Sequence, residues 1–186
     1  MPIRHHPDVR VLSSRTVHPG RIFDVIREEL VLPSGLRQDI EIVDHPGAVA
    51  VAALDDDGKL LLVRQYRHAC GDWMLEVPAG RIERGEDRLA AAMRELEEET
   101  RHRAASWELL VEFYAAPGFC SELLSLYLAR GLVHVGDDAA AADDDEEIAI
   151  ERWTPAWILE QGLQDAKTII AASMMLARER RDSAAR

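Results

Sequence analysis

Between residues 80 and 100 the chain reads GRIERGEDRLAAAMRELEEET, a glycine-punctuated entry followed by a run in which Leu89, Met93 and Leu96 recur at helical spacing, with Met93 and Leu96 expected on the buried face. The stretches on either side have strand lengths and strand residues instead. Upstream lie AVAVAAL, KLLLVRQYR after the Asp57-Gly58 turn, and WMLEV leading into Pro78-Ala79-Gly80; downstream lie WELLVEFYA, ELLSLYLAR and IAIERW. One helix from about Glu86, set among strands that precede, flank and follow it, predicts an α+β (mixed α/β) fold, a mixed sheet covered by helices.

The ends of the chain fit the same scheme. IFDVIREELVLPSGLRQDIEIVDH holds two strand-like runs around Pro33-Ser34-Gly35, so residues 1–45 are expected to form an antiparallel β region ahead of a main domain over 46–186. Thr154 before Pro155 is a helix start, with the proline at the first helical position, where its missing N–H costs nothing. Asp165 reads as the cap of a final helix through AKTIIAASMMLARER.

Charge narrows the function. Among 186 residues, 34 acidic side chains face 22 basic ones, a formal charge of −12. That excess repels nucleic acid and anionic membrane surfaces, so neither is expected as a partner, and an anionic small substrate would need cations in its site. No apolar run reaches signal-peptide or membrane-span length, which makes the cytoplasm the expected location. Cys70 and Cys120 lack metal-ligand spacing and read as incidental thiols.

The glutamates of the central helix are the chemical signal. Four of them, Glu95, Glu97, Glu98 and Glu99, crowd its end. The ordinary reading of such a run is a solvated face. Yet at about 100° per residue Glu95, Glu98 and Glu99 share one side while Glu97 points away, and like charges one turn apart destabilise a helix. A solvating surface would interleave lysines, and none occurs between Lys59 and Lys167. Convergent carboxylates of this kind suit a hard divalent cation, Mg²⁺ or Mn²⁺.

The spacing upstream sharpens this: Gly80, five residues, Glu86, seven residues, then Arg94-Glu95-Leu96-any-Glu98-Glu99. The stretch resembles the Nudix box, a glycine loop followed by a helix that ends in metal-binding glutamates. The resemblance implies that Glu95 and Glu99 coordinate metal, two or three ions in all, that Glu98 supports or joins them, and that Ala79 offers its backbone carbonyl. Gly80 would let the backbone approach metal and phosphate closely, while Glu86 and Arg94 would orient the helix and its carboxylates. The departure is at the end, where the family usually has glycine and an apolar residue and this chain has Arg101 and His102. An arginine there costs about 1 kcal/mol in the left-handed conformation or ends the helix another way. By spacing, Arg101 is expected to pair with Glu97 and Arg103 with Glu99, where Arg103 would compete with a metal.

VRQYR followed by LEVPAG, FYAAPGF with Pro117 placed 15 residues after His102, and DAKT in the last helix are similar to the ADP-ribose pyrophosphatase branch. That likeness implies Mg²⁺-dependent hydrolysis of ADP-ribose to AMP and ribose 5-phosphate, with Arg67 on a substrate phosphate, Arg81 near the phosphates by position, and Glu41 where some relatives recognise adenine. His45 stands where a relative carries arginine. Within the acidic segment 137–147 it implies Glu147, with Glu146 next, as the general base; the plain reading of that segment is solvated filler. It also implies that the N-terminal region exchanges with a second subunit in a homodimer. Competing readings are a pyrophosphatase for another nucleotide sugar such as GDP-mannose, a Nudix-fold binding module without turnover, and a Ca²⁺- or partner-binding acidic loop, though that loop lacks the spaced ligands and glycine of an EF-hand.

Overall fold

The computed structural model describes residues 5–136 and 148–184. It divides into two compact units, Met1–Gly47 with Phe113–Leu124, and Ala48–Glu112 with Ser125–Arg186.

In the first unit, β1 (Arg10–His18), β2 (Asp24–Val31) and β3 (Arg37–Asp44) form an antiparallel sheet in that order. The Pro33-Ser34-Gly35 turn joins β2 to β3 as the sequence predicts, with Val31 opposite Arg37. Much of β1 is exposed.

The second unit holds the main core. β4 (Ala48–Ala53) is buried along its whole length, as a strand covered on both faces must be. It is central in the sheet β7-β4-β9-β8, formed with β7 (Ala79–Arg81), β9 (Leu123–His134) and β8 (His102–Tyr114). A second sheet runs β10-β5-β6, from Ala149–Trp153, Leu60–Arg67 and Asp72–Glu76. Helix α1 (Arg88–Thr100) packs on β4 and β7, while α3 (Ala166–Ala184) packs on β4 and on the short α2 (Pro155–Glu160). Val49, Val51 and Ala53 of β4 meet Ala91, Ala92 and Leu96 of α1, and burying Leu96 alone contributes about 1.5–3 kcal/mol. Thr154 caps α2 by accepting from the Trp157 N–H, as expected.

Two local expectations are corrected. The helix begins at Arg88 rather than near Glu86, because the Asp87 carboxylate accepts from the N–H groups of Leu89 and Ala90 and fixes the start. Met93 is 43% exposed; the apolar buried face is built from Leu96 and from Ala91 and Ala92, small residues that let α1 lie close to β4. Among the described residues, no helix is long and apolar enough to cross a membrane.

Candidate metal and phosphate site

Arg94 stands at the centre of the glutamate face. Its Nε and Nη2 donate to the two oxygens of Glu86 at 2.9 and 3.0 Å, and its Nη1 donates to Glu95 and to Glu98, both at 2.8 Å. Nη2 also donates to the carbonyl of Arg81 at 3.0 Å, which ties the helix to the end of β7. The hydrogen bond from Arg94 holds the Glu86 carboxyl below its ordinary range, and the Arg94 guanidinium is correspondingly harder to deprotonate.

The glycine loop lies directly on these carboxylates. A Cβ placed on Gly80 would come within 2.0 Å of the Glu95 carboxylate, so only glycine lets β7 and the helix approach as they do. One residue earlier, the N–H of Ala79 donates to Glu99 Oε2 at 3.0 Å, and Glu99 is only 8% exposed. Loop backbone, Glu95 and Glu99 are thus brought together, with Glu98 held through Arg94. Among the described residues no three acidic, histidine or cysteine side chains are grouped so as to hold an ion outright, since Arg94 bridges Glu95 and Glu98. The donor set, carboxylate oxygens beside loop backbone, fits a hard divalent cation.

The helix ends on Arg101 in the left-handed conformation, φ 58° and ψ 31°, with its N–H bonded to the carbonyl of Glu97. Arginine therefore takes the geometry that glycine would, at its steric cost. Arg103 makes the bidentate pair with Glu97, at 2.6 and 2.7 Å, and the charge of Arg101 acts on the same carboxylate. The expected Arg101–Glu97 pairing is corrected by the chain turning into β8, which swings Arg103 back over Glu97; Arg103 does not compete for Glu99. His102 is buried, its Nδ1 against the Thr100 carbonyl at 2.6 Å and its ring edge-on to His134. Burial first, then the charge of Arg152 and His134, push His102 below its ordinary value despite the Thr100 bond.

Arg67 is gripped by Glu76, with Nε and Nη2 donating at 2.7 and 3.0 Å, yet 37% of its side chain reaches solvent. Sequence reasoning missed Glu76, although an acid within the apolar strand WMLEV signals a buried charge that needs a cation. Arg64 pairs instead with Glu151 at 2.7 Å. Arg81 is exposed at the end of β7. In the first unit, Glu41 faces Arg27 across β2 and β3, and His45 lies 3.7 Å from Glu122. Glu146 and Glu147 lie outside the described residues. A cavity of about 250 Å³ lined by residues including Asp55, Asp57, His102 and Arg152 contains none of the candidate ligands.

Known proteins resemble this chain along most of its length. A family model described as the NUDIX domain matches residues 44–173. A methanol dehydrogenase activator of Bacillus methanolicus is 36% identical over 174 residues, covering 91% of this chain and 94% of that one. An ADP-ribose pyrophosphatase of Bacillus subtilis (strain 168) is 35% identical over 178 residues, with the same coverage of 91% and 94%. The crystal structure of an ADP compounds hydrolase shares the fold, with a TM-score of 0.79 over 97% of this chain and 98% of that one at 23% identity.

Proposed function

The chain belongs to the Nudix family of hydrolases, and from that membership we propose that it cleaves the pyrophosphate bond of ADP-ribose, giving AMP and ribose 5-phosphate. The observation that carries this reading is the glycine loop laid against Glu95 and Glu99. Mg²⁺, or Mn²⁺, would be held by the Ala79 carbonyl with Glu95, Glu98 and Glu99, and when bound such ions neutralise pyrophosphate charge and polarise its oxygens. Arg94 orients Glu95 and Glu98, and the Ala79 N–H does the same for Glu99. Glu76 aims the Arg67 guanidinium, whose planar fork suits phosphate oxygens, and Arg81 adds charge at the loop. Glu147, with Glu146 as the alternative, takes the proton of the attacking water. Glu41 serves the adenine.

The substrate is a small nucleotide sugar handled in the cytoplasm by a homodimer. Leu12, Val17 and Leu36 of the first unit are exposed apolar side chains of the kind that a second copy would cover, and light scattering at twice 20.8 kDa is the expected result.

The test is hydrolysis of ADP-ribose, GDP-mannose and other nucleotide sugars with Mg²⁺ and Mn²⁺, with products separated by chromatography. AMP from ADP-ribose as the preferred reaction is expected. Faster release of GMP from GDP-mannose would move the chain to the runner-up reading, and tight ADP-ribose binding without AMP would make it a binding module.

A further inference from the structure

The first turn of α3, where the sequence reads DAKT, grips the strand that runs into the glycine loop. Asp165 accepts from the Thr168 N–H at 2.9 Å and from the Thr168 hydroxyl at 2.5 Å through one oxygen, and from Lys167 Nζ at 2.8 Å through the other. With its proton committed to Asp165, the Thr168 oxygen is left as an acceptor, and the Val77 N–H donates to it at 2.8 Å. Thr168 is fully buried. Lys167 also donates to Glu76, a carboxylate 3% exposed and shared with Arg67. Burial pushes Glu76 up, but the Arg67 hydrogen bond and the Lys167 charge outweigh it and hold it below the ordinary value.

Three successive residues ahead of Gly80 are thus pinned from three elements. Thr168 of α3 holds the Val77 N–H, Val51 of β4 donates to the Pro78 carbonyl at 2.8 Å, and Glu99 of α1 holds the Ala79 N–H. The grips from β4 and α1 are a sheet bond and a candidate cation ligand. The grip from α3 is a buried hydroxyl, oriented by an acid that also caps the helix and holds Lys167.

We propose that Thr168 is a positioning residue for the divalent-cation site: by fixing Val77, its hydroxyl sets where the Ala79 carbonyl stands relative to Glu95 and Glu99, with Asp165 and Lys167 supporting it. This rests on the reading of Ala79, Glu95 and Glu99 as cation ligands. Partners that orient metal ligands commonly set affinity over about 10- to 100-fold.

The experiment measures Mn²⁺ binding without substrate, from the electron paramagnetic resonance of free Mn²⁺, on the full chain and on Thr168→Val, Thr168→Ser and Thr168→Ala. Hydrogen exchange at the Val77 amide and the melting temperature are followed in each. Thr168→Val is expected to bind Mn²⁺ about 10-fold more weakly and to exchange at Val77 faster. It should also need more metal for half-maximal hydrolysis while keeping kcat at saturating metal. Thr168→Ser should restore all of these, and Thr168→Ala, which introduces no misplaced methyl, should repeat the loss if the valine variant melts below the assay temperature. Unchanged Mn²⁺ affinity with accelerated Val77 exchange overturns the proposal, as does a loss that serine fails to rescue. Graded Mn²⁺ binding in a chain that leaves ADP-ribose intact upholds it and removes only the substrate, whereas wild-type protein that binds no Mn²⁺ overturns it together with the cation site.

Discussion

Gly80 shows how much one absent side chain can decide. A methyl group there would land on the Glu95 carboxylate, the far end of a flexible side chain, so the fold can yield while the ligand moves. Gly80→Ala is therefore expected to lower kcat by about a hundredfold while the melting temperature shifts by no more than about 2–4 °C. Parallel losses of stability and activity would contradict this. Arg101 is the opposite case, a side chain where the backbone conformation favours none. Because its φ of 58° strains any Cβ, Arg101→Gly should relieve about 1 kcal/mol of backbone strain, offset by the lost charge beside Glu97, so the melting temperature should move by no more than about 2–4 °C while turnover holds. Calorimetry and a rate assay check both. The seat of this strain was legible in the sequence as a missing glycine. The partner of Glu97 was not, since helical spacing says nothing of residues beyond the helix end, where the turn into β8 brings Arg103 back.

At the scale of elements, the start of β8 and the acids before α1 lose stability in the same direction, as pH falls, but in separate windows. His102 opens β8 with its folded value depressed by burial, Arg152 and His134. Below about pH 6.5 the unfolded chain takes up a proton that the folded one refuses, so stability falls as pH drops from that point. Glu76 and Glu86 have depressed values too, and their contribution is present above the ordinary carboxylate range and is lost only as pH falls through their lower folded values. Urea midpoints between pH 7 and 5.5 should decline in the native chain and be flatter in His102→Gln; an identical slope in both would contradict this. The strands and helices themselves were readable because their apolar periods differ. The start of α1 moved two residues to the Asp87 cap, and Met93 proved exposed because alanines, which carry little periodic signal, make the contact with β4. The short strand β7 was hidden in what reads as a turn, since Pro78-Ala79-Gly80 has turn composition although its residues pair with β4.

For the whole molecule, the order of elements and the family were legible from a box of fixed spacing, because a loop that must approach a carboxylate closely and an arginine that must bridge three acids leave little freedom of sequence. The substrate was less so, because its proposed contacts, Arg67, Arg81 and Glu41, lie outside the fixed spacing of the box, and Glu146 and Glu147 lie outside the described residues. In the proposed reaction this chain hydrolyses a pyrophosphate through cations held at Glu95 and Glu99. The most direct measurement is AMP formation from ADP-ribose with saturating Mg²⁺ by the native chain and by Glu99→Gln. Glutamine can still accept from the Ala79 N–H and relieves a buried charge, so its melting temperature should stay level or rise. Turnover should fall by about three orders of magnitude or more, as for loss of a charge that acts on the transition state; near-native turnover in a folded Glu99→Gln protein would contradict the account.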